Sequence, residues 1–253
     1  MQELDPIIAR FDPISLDEMD AVSLMDRTDT KYVFAKTDLP HVLEEVLPHY
    51  RILEVKGKRG TDYRSLYYDT EELKSYMDHH NGRNLRYKVR YREYVGSGIC
   101  FLEVKRKTGR GRTDKVRIPV PGIPEEMPAA DQAFVREASG DQADMQATLW
   151  NSFTRLTLVR RDRPERLTID LGLRFAVPSD ETQAPELEGT VVAEVKQERT
   201  DRSSPFVQCM RRMGLRPKGM SKYCIGMLRA GQVRKYNRFK PTLNALERIA
   251  SAA

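Results

Sequence analysis

Hydrophobic and polar residues alternate with period two through most of the chain. The clearest runs are TKYVF, YRSLYYD, RYKVRYREY, CFLEVKRK, DKVRIPV, RLTLVRR, RLTIDL and TVVAEVKQE. Successive side chains of a strand point to opposite faces, so each run predicts a β-strand with one apolar and one polar face. Gly96 to Gly98 supplies a hairpin turn between two of the longest runs, and TGRGRTD predicts another. Helical spacing takes over in DLPHVLEEVLPHY, EELKSYMD, ADMQATLWNSF, SSPFVQCMRRMG and KYCIGMLRA. PGIPEEMPAAD and AVPSDETQAPELEG read as polar surface connections. The final stretch, VRKYNRFKPTLNALERIASAA, is basic and amphipathic, compatible with a helix or with a frayed end.

The polar faces are unusual in what they carry. GRNLRYKVRYREY sets Arg86, Lys88, Arg90 and Arg92 on one face and Leu85, Tyr87, Val89 and Tyr91 on the other. Glu103, Lys105 and Lys107 oppose Leu102 and Val104, and Lys115 and Arg117 oppose Val116 and Ile118. Arg166, Thr168 and Asp170 alternate with Leu167, Ile169 and Leu171, while Glu194, Lys196 and Glu198 alternate with Ala193 and Val195. Same-face neighbours lie about 7 Å apart, where two like charges repel by roughly 2 kcal/mol at an effective dielectric of 20.

Open water would screen that repulsion, so one such strand alone reads as a solvated face. The pattern recurs in at least five strands, with Arg and Lys at the strand centres. It predicts an α+β fold built on an eight-stranded antiparallel β-barrel, with a charged lumen and helices packed outside. Such a lumen needs a polyanion, and an eight-stranded barrel admits only a slim one, which excludes a nucleic-acid duplex. Tyr87 and Tyr91 fall on the apolar face, so no aromatic platform for single-stranded nucleic acid accompanies the cations. Phosphate chains suit Arg forks and Lys point charges. Among the cations Glu103, Glu194 or Glu198 would hold a hard divalent ion that bridges phosphate oxygens. Asp69 and Asp170 are expected to fix local arginines, and Trp150 to lie in the core.

Composition narrows this little further. The 253 residues carry a formal charge of +6, a modest excess that fits an anionic partner without naming it. The opening MQELDPIIARFD is neither basic nor apolar, and no apolar run is long enough to span a bilayer, so the chain reads as a soluble cytoplasmic protein without membrane insertion. Cys100, Cys209 and Cys224 lack metal-ligand spacing and read as buried thiols, and the four histidines do not form a zinc set.

Taken together, DRTDTKYVF, RSLYYDT, KVRYREY, FLEVKRKTGRGRTDKVRI, RLTIDLGLRF, AEVKQE and SKY resemble the VTC (vacuolar transporter chaperone) domain, within the triphosphate tunnel metalloenzyme or CYTH-like superfamily. The resemblance runs from about Leu24 to Leu228. It implies a tunnel domain over residues 1–232, followed by a basic tail over 233–253. It also implies a polyphosphate polymerase that passes the terminal phosphate of ATP to a growing polyphosphate chain with Mn2+ or Mg2+. The matching positions are Lys31, Arg90, Arg92, Lys105, Lys107, Lys115, Arg155 and Arg166, with Glu194 as metal ligand and Lys222 as a phosphate contact near the tunnel end. On this reading Lys31, Arg90, Arg92, Lys105, Lys115, Arg155 and Arg166 are catalytic. Arg86, Lys88, Lys107, Arg117, Lys196, Lys218 and Lys222 bind substrate, and Glu194 and Glu103 bind metal. Two alternatives remain open: a hydrolase of tripolyphosphate or nucleoside triphosphates, and a non-catalytic polyanion-binding module. Arg86 and Lys88 are equally compatible with a solvated mouth, and Lys218 and Lys222 with a solvated helix face.

Overall fold

The computed structural model describes residues 3–20, 28–108, 113–181 and 184–251. The TGRGRTD turn falls largely outside them. Ten strands form one sheet: β1 (Pro13–Ile14), β2 (Thr28–Ala35), β3 (Tyr50–Leu53), β4 (Gly60–Asp69), β5 (Arg86–Tyr94), β6 (Ile99–Lys107), β7 (Thr113–Val120), β8 (Gln146–Arg160), β9 (Glu165–Ala176) and β10 (Thr190–Gln197). The helices are α1 (Asp5–Ile8), α2 (Leu16–Asp20), α3 (Leu39–Val46), α4 (Lys74–His80), α5 (Ala129–Ser139), α6 (Pro205–Arg212), α7 (Lys222–Arg229) and α8 (Lys240–Ser251). The main sheet runs β2-β10-β9-β8-β4-β5-β6-β7, with β3 paired to β8 and β1 to β3 beside it. Every neighbouring pair on the main path is antiparallel.

The sheet is not a closed barrel. Its ends, β2 and β7, are not paired to one another among the described residues, which corrects the expected closure. β7 has the composition of an edge: Asp114, Lys115 and Arg117 line an exposed strand, and Pro119 has no amide to donate to a further partner. The sheet nevertheless curls enough to bring Lys105 on β6 within electrostatic reach of Lys31 and Asp29 on β2.

The two faces of the sheet bury different things. On the outer side, Leu156, Leu158, Leu167, Ile169, Val191 and Val195 pack beneath α3 and α6. Further along that side, Leu66, Tyr87, Val89, Tyr91, Leu102 and Val104 pack against Val135 of α5, so Tyr87 and Tyr91 are core as their parity requires. The inner face is divided. One part, made of Tyr63, Tyr67, Leu149, Phe153, Leu173 and Phe175, receives Tyr223, Cys224 and Met227 of α7. The other part carries the charges. The helices are therefore not all outside, since α7 lies on the inner face. Gly226 permits this: an added Cβ would sit 2.4 Å from Leu149 and 2.5 Å from Phe175.

Expectations change at ADMQATLWNSF, at Trp150 and in the proline-rich connection, and the open reading of the final stretch is resolved. ADMQATLWNSF is not a helix: from Gln146 it is strand β8, because pairing with β4 on one side and β9 on the other satisfies its backbone along its length. Trp150 on this strand is half-buried, with the Arg64 guanidinium 4.0 Å over its ring. The proline-rich connection ends in α5, whose Val135 is fully buried. The final stretch is a packed helix rather than a frayed end, with Phe239 and Leu246 buried against the α7 cluster.

Candidate functional site

Antiparallel register builds the charged face. Lys105 lies opposite Lys88 on β5 and Lys115 on β7, so three lysines stand in one row across three strands. The next row on this face runs Arg90, Glu103, Arg117. At the far side of the sheet Lys31 lies opposite Glu194, and Arg155 lies opposite Asp170. Directly opposed side chains are about 5 Å apart at Cβ, where two like charges repel by about 3 kcal/mol at an effective dielectric of 20.

A few carboxylates space these cations. Glu103 is 2% exposed and uses both oxygens: Oε2 accepts from Arg90 Nε at 2.8 Å and Nη2 at 2.6 Å, and Oε1 accepts from Lys115 Nζ at 2.9 Å. Burial alone would raise its pKa, but Arg90, Arg92 and Lys115 hold it well below the usual carboxylate range. Asp170 accepts from Arg155 Nε and Nη2 at 2.6 and 2.8 Å and also receives the Lys222 ammonium. Arg155 and Lys222 overcome the burial penalty and keep this carboxyl ionised far below its ordinary value. Its expected role as an arginine partner is borne out. Asp69 differs: it accepts from the amides of Thr70, Ser75 and Tyr76 and from the Tyr223 hydroxyl at 2.6 Å, fixing α4 and α7 rather than an arginine.

Glu194 is held more loosely. Its oxygens lie 3.4 Å from Lys31 Nζ and 3.6 Å from Lys196 Nζ, beyond hydrogen-bond optimum. Burial opposes ionisation, yet Lys31, Lys196, Lys105 and Arg155 hold it below the usual carboxylate range. Its lone pairs therefore suit a hard cation better than those of Glu103, whose oxygens are already engaged. Among the described residues no three His, Cys, Asp or Glu side chains gather as a metal cage. A Mg2+ or Mn2+ ion here fits the usual arrangement of one carboxylate completed by phosphate oxygens and water.

The remaining cations fall into two groups. Arg92 is buried, donates from Nε to Ser65 Oγ at 3.2 Å and lies 5.0 Å over the Tyr63 ring, and burial followed by repulsion from Arg90 lowers its pKa to about 10. Lys105 is exposed along the cleft, yet loss of hydration within the curled sheet and then repulsion from Lys31 lower it to about 8. Lys88 donates to Ser221 Oγ at 2.6 Å and to His79 Nδ1 at 3.0 Å, so it is tied to α7 and α4 rather than solvated. Arg86 and Lys107 face one another at the end of the β5–β6 pair. Away from the centre, Arg117 covers Phe101 at 4.3 Å, Arg166 reaches the Met19 carbonyl, and Lys218 donates to the Pro241 carbonyl at 3.2 Å.

Sequence reasoning passed over Tyr63, Ser65 and Tyr67 on β4, which share the inner face with the cations. Arg90 Nη1 donates to the Tyr67 hydroxyl at 3.2 Å. The alternation in YRSLYYD carried this signal. His79, Ser221 and Cys224 had no such marker, because only the docking of α4 and α7 brings them to Lys88; the His79 Nδ1 to Cys224 Sγ distance is 3.2 Å.

The fold places the chain in a known class. A candidate adenylyl cyclase from Hippeastrum, reported with a dominant triphosphatase activity, is similar with a TM-score of 0.53 and 13% identity, over 81% of this chain and 97% of that one. A candidate adenylate cyclase from Bacillus halodurans is similar with a TM-score of 0.50 and 11% identity, over 78% and 96% of the two chains. Among curated proteins no sequence relative was found. The VTC domain profile matches residues 26–230, and the chain belongs to this family. Among the described residues no helix is long and apolar enough to cross a membrane.

Proposed function

We propose that the protein is a metal-dependent phosphotransferase that moves the terminal phosphate of ATP onto inorganic polyphosphate. The observation that carries this reading is the row Lys88, Lys105, Lys115, three lysines directly opposed with one buried carboxylate, Glu103, beside them. Such a row stores repulsion that a phosphate chain relieves and a neutral ligand does not.

Lys31, Arg90, Arg92, Lys105, Lys115 and Arg155 hold the triphosphate, with Lys88, Lys196 and Lys222 at its flanks. Glu103 acts as a fixed counter-charge that sets the distance between Arg90 and Lys115. Glu194 holds the divalent ion, which when bound neutralises charge on the phosphate oxygens. A terminal oxygen of the acceptor chain attacks the γ-phosphorus, the bond to the β–γ bridging oxygen breaks, and ADP leaves. The acceptor oxygen is already anionic, so no general base is required, and rate comes from alignment and charge stabilisation. Arg166 and Lys218, tied to backbone carbonyls away from the centre, play supporting parts.

The second reading is a triphosphate hydrolase in which water takes the acceptor's place. It is favoured by the triphosphatase activity reported for the Hippeastrum protein of the same fold. Incubation with ATP and Mn2+ followed by gel analysis separates the two. A ladder of lengthening chains supports transfer to polyphosphate, and orthophosphate alone supports hydrolysis. Tight binding of tripolyphosphate without turnover reduces the protein to a polyanion-binding module.

A further inference from the structure

Beyond the matched residues 26–230, the chain returns to the charged face. The Tyr76 hydroxyl of α4 donates to the Lys235 carbonyl at 2.5 Å, and Lys235 Nζ donates to Asn81 Oδ1 at 3.3 Å. Phe239 is buried with its ring centroid 5.8 Å from Tyr76 and 5.4 Å from His79. These contacts fix Arg238 above Gly82, so closely that a Cβ on Gly82 would lie 2.8 Å from Arg238 Nη1. Gly82 has φ +74°, a conformation that favours glycine.

Arg238 thereby comes within electrostatic reach of Arg86, which faces Lys107 at the end of the β5–β6 pair. His79 reports the field there: burial, then Lys88, Arg86, Arg238 and Lys107, keep its imidazole neutral. Cys224 and then Asp78 are the acidic groups that act on Arg86, and Asp78 is itself paired to Lys74 at 3.3 Å. Among the described residues no carboxylate forms an ion pair with Arg86, Lys107 or Arg238. The cluster is open to water at exposed Arg238 and continuous inward through Lys88 and Lys105 with the central lysine row.

We propose that the Lys235–Phe239 segment completes a second phosphate-binding subsite, in which Arg238, Arg86 and Lys107 grip the part of a polyphosphate chain extending beyond the central cations. This rests on the phosphate-chain reading of the central site and adds to it a reason for preferring long chains over short ones. Continuity with the row Lys88, Lys105, Lys115 favours a linear phosphate chain over nucleic acid or an anionic membrane; Tyr236 in the same segment is exposed and offers a ring to a stacked base, which the RNA arm of the test addresses.

The test compares full-length wild type with Arg238→Gln and Arg238→Lys in binding tripolyphosphate and a long-chain polyphosphate across a salt series. Arg238 is exposed, and thermal unfolding verifies that each variant is folded. For Arg238→Gln, affinity for the long chain falls about fivefold, the order of one exposed charge-assisted contact. Its salt dependence flattens by roughly 0.7 logarithmic units per decade, as for one phosphate contact on a single strand. Tripolyphosphate affinity is unchanged, and Arg238→Lys retains most of the long-chain affinity. Equal losses for both ligands, or no loss for either, overturn the subsite while leaving the central site standing. Failure of the wild type to bind tripolyphosphate overturns the reading beneath it. Tighter binding of an RNA homopolymer or of anionic vesicles than of long polyphosphate, lost in Arg238→Gln, replaces the proposed ligand.

Discussion

Asp170 is shared between Arg155 on the adjoining strand and Lys222 in the first turn of α7, and this contact docks a helix onto a cationic face. All three side chains are buried or nearly so, which makes the carboxylate the counter-charge for two cations at once. Replacing Asp170 by Asn leaves both cations without an anion in a low-dielectric setting. The expected cost is about 3 kcal/mol or more, read as a lower midpoint in chemical denaturation. A change below 0.5 kcal/mol would mean that water already neutralises the pair.

Glu194 is expected to act on turnover rather than on binding. Glu194→Ala retains measurable ATP affinity, since Arg90, Lys105, Lys115 and Arg155 remain, while turnover falls at least tenfold at saturating Mn2+. An undiminished rate in excess Mn2+ would remove Glu194 from the reaction.

Lys105 sets an alkaline limit. Its ammonium is lowered to about 8 by loss of hydration and by Lys31, so it loses its proton as pH rises through that value. A bound phosphate chain favours the charged form and raises the pKa again. Tripolyphosphate affinity therefore weakens above pH 8, and binding near pH 9 takes up a proton. Calorimetry in two buffers of different ionisation enthalpy measures this uptake, and Lys105→Gln abolishes it.

His79 sets the first acid limit. Buried among cations it stays neutral down to about pH 2 in the folded protein, whereas an unfolded chain protonates it near 6.5. Between those values the unfolded state binds more protons, so stability declines as pH drops below 6.5, by at most about 1.4 kcal/mol per pH unit. Glu103, Glu194 and Asp170, all depressed, add a steeper loss below about pH 4.5. Denaturation midpoints between pH 5 and 6.5 should flatten in His79→Asn, and persistence of the same slope would assign the loss to another group.

Much of this face was legible in the sequence because strand parity is a local property. Arg90, Arg92, Lys105, Lys115 and Glu194 sort onto one side by alternation alone, and the structure gathers them there. The expected barrel closure failed because an alternating strand reads alike inside a barrel and at an open edge, and the edge marker in DKVRIPV, Pro119, lies outside that alternation. The helical reading of ADMQATLWNSF failed for a related reason: its two strand partners come from distant segments, and pairing overrode local spacing. His79, Ser221 and Cys224 meet Lys88 only through helix docking, a relation that no spacing in the chain announces.

Gly226 gives that docking its tolerance. Leu149 and Phe175 leave no clearance for even a methyl group, so any side chain there would act as a shim beneath α7. Raising the helix by that thickness would pull Lys222 from Asp170, Ser221 from Lys88 and Tyr223 from Asp69 together. The depth at which the lysines sit is thus calibrated by a residue that carries no charge and touches no phosphate.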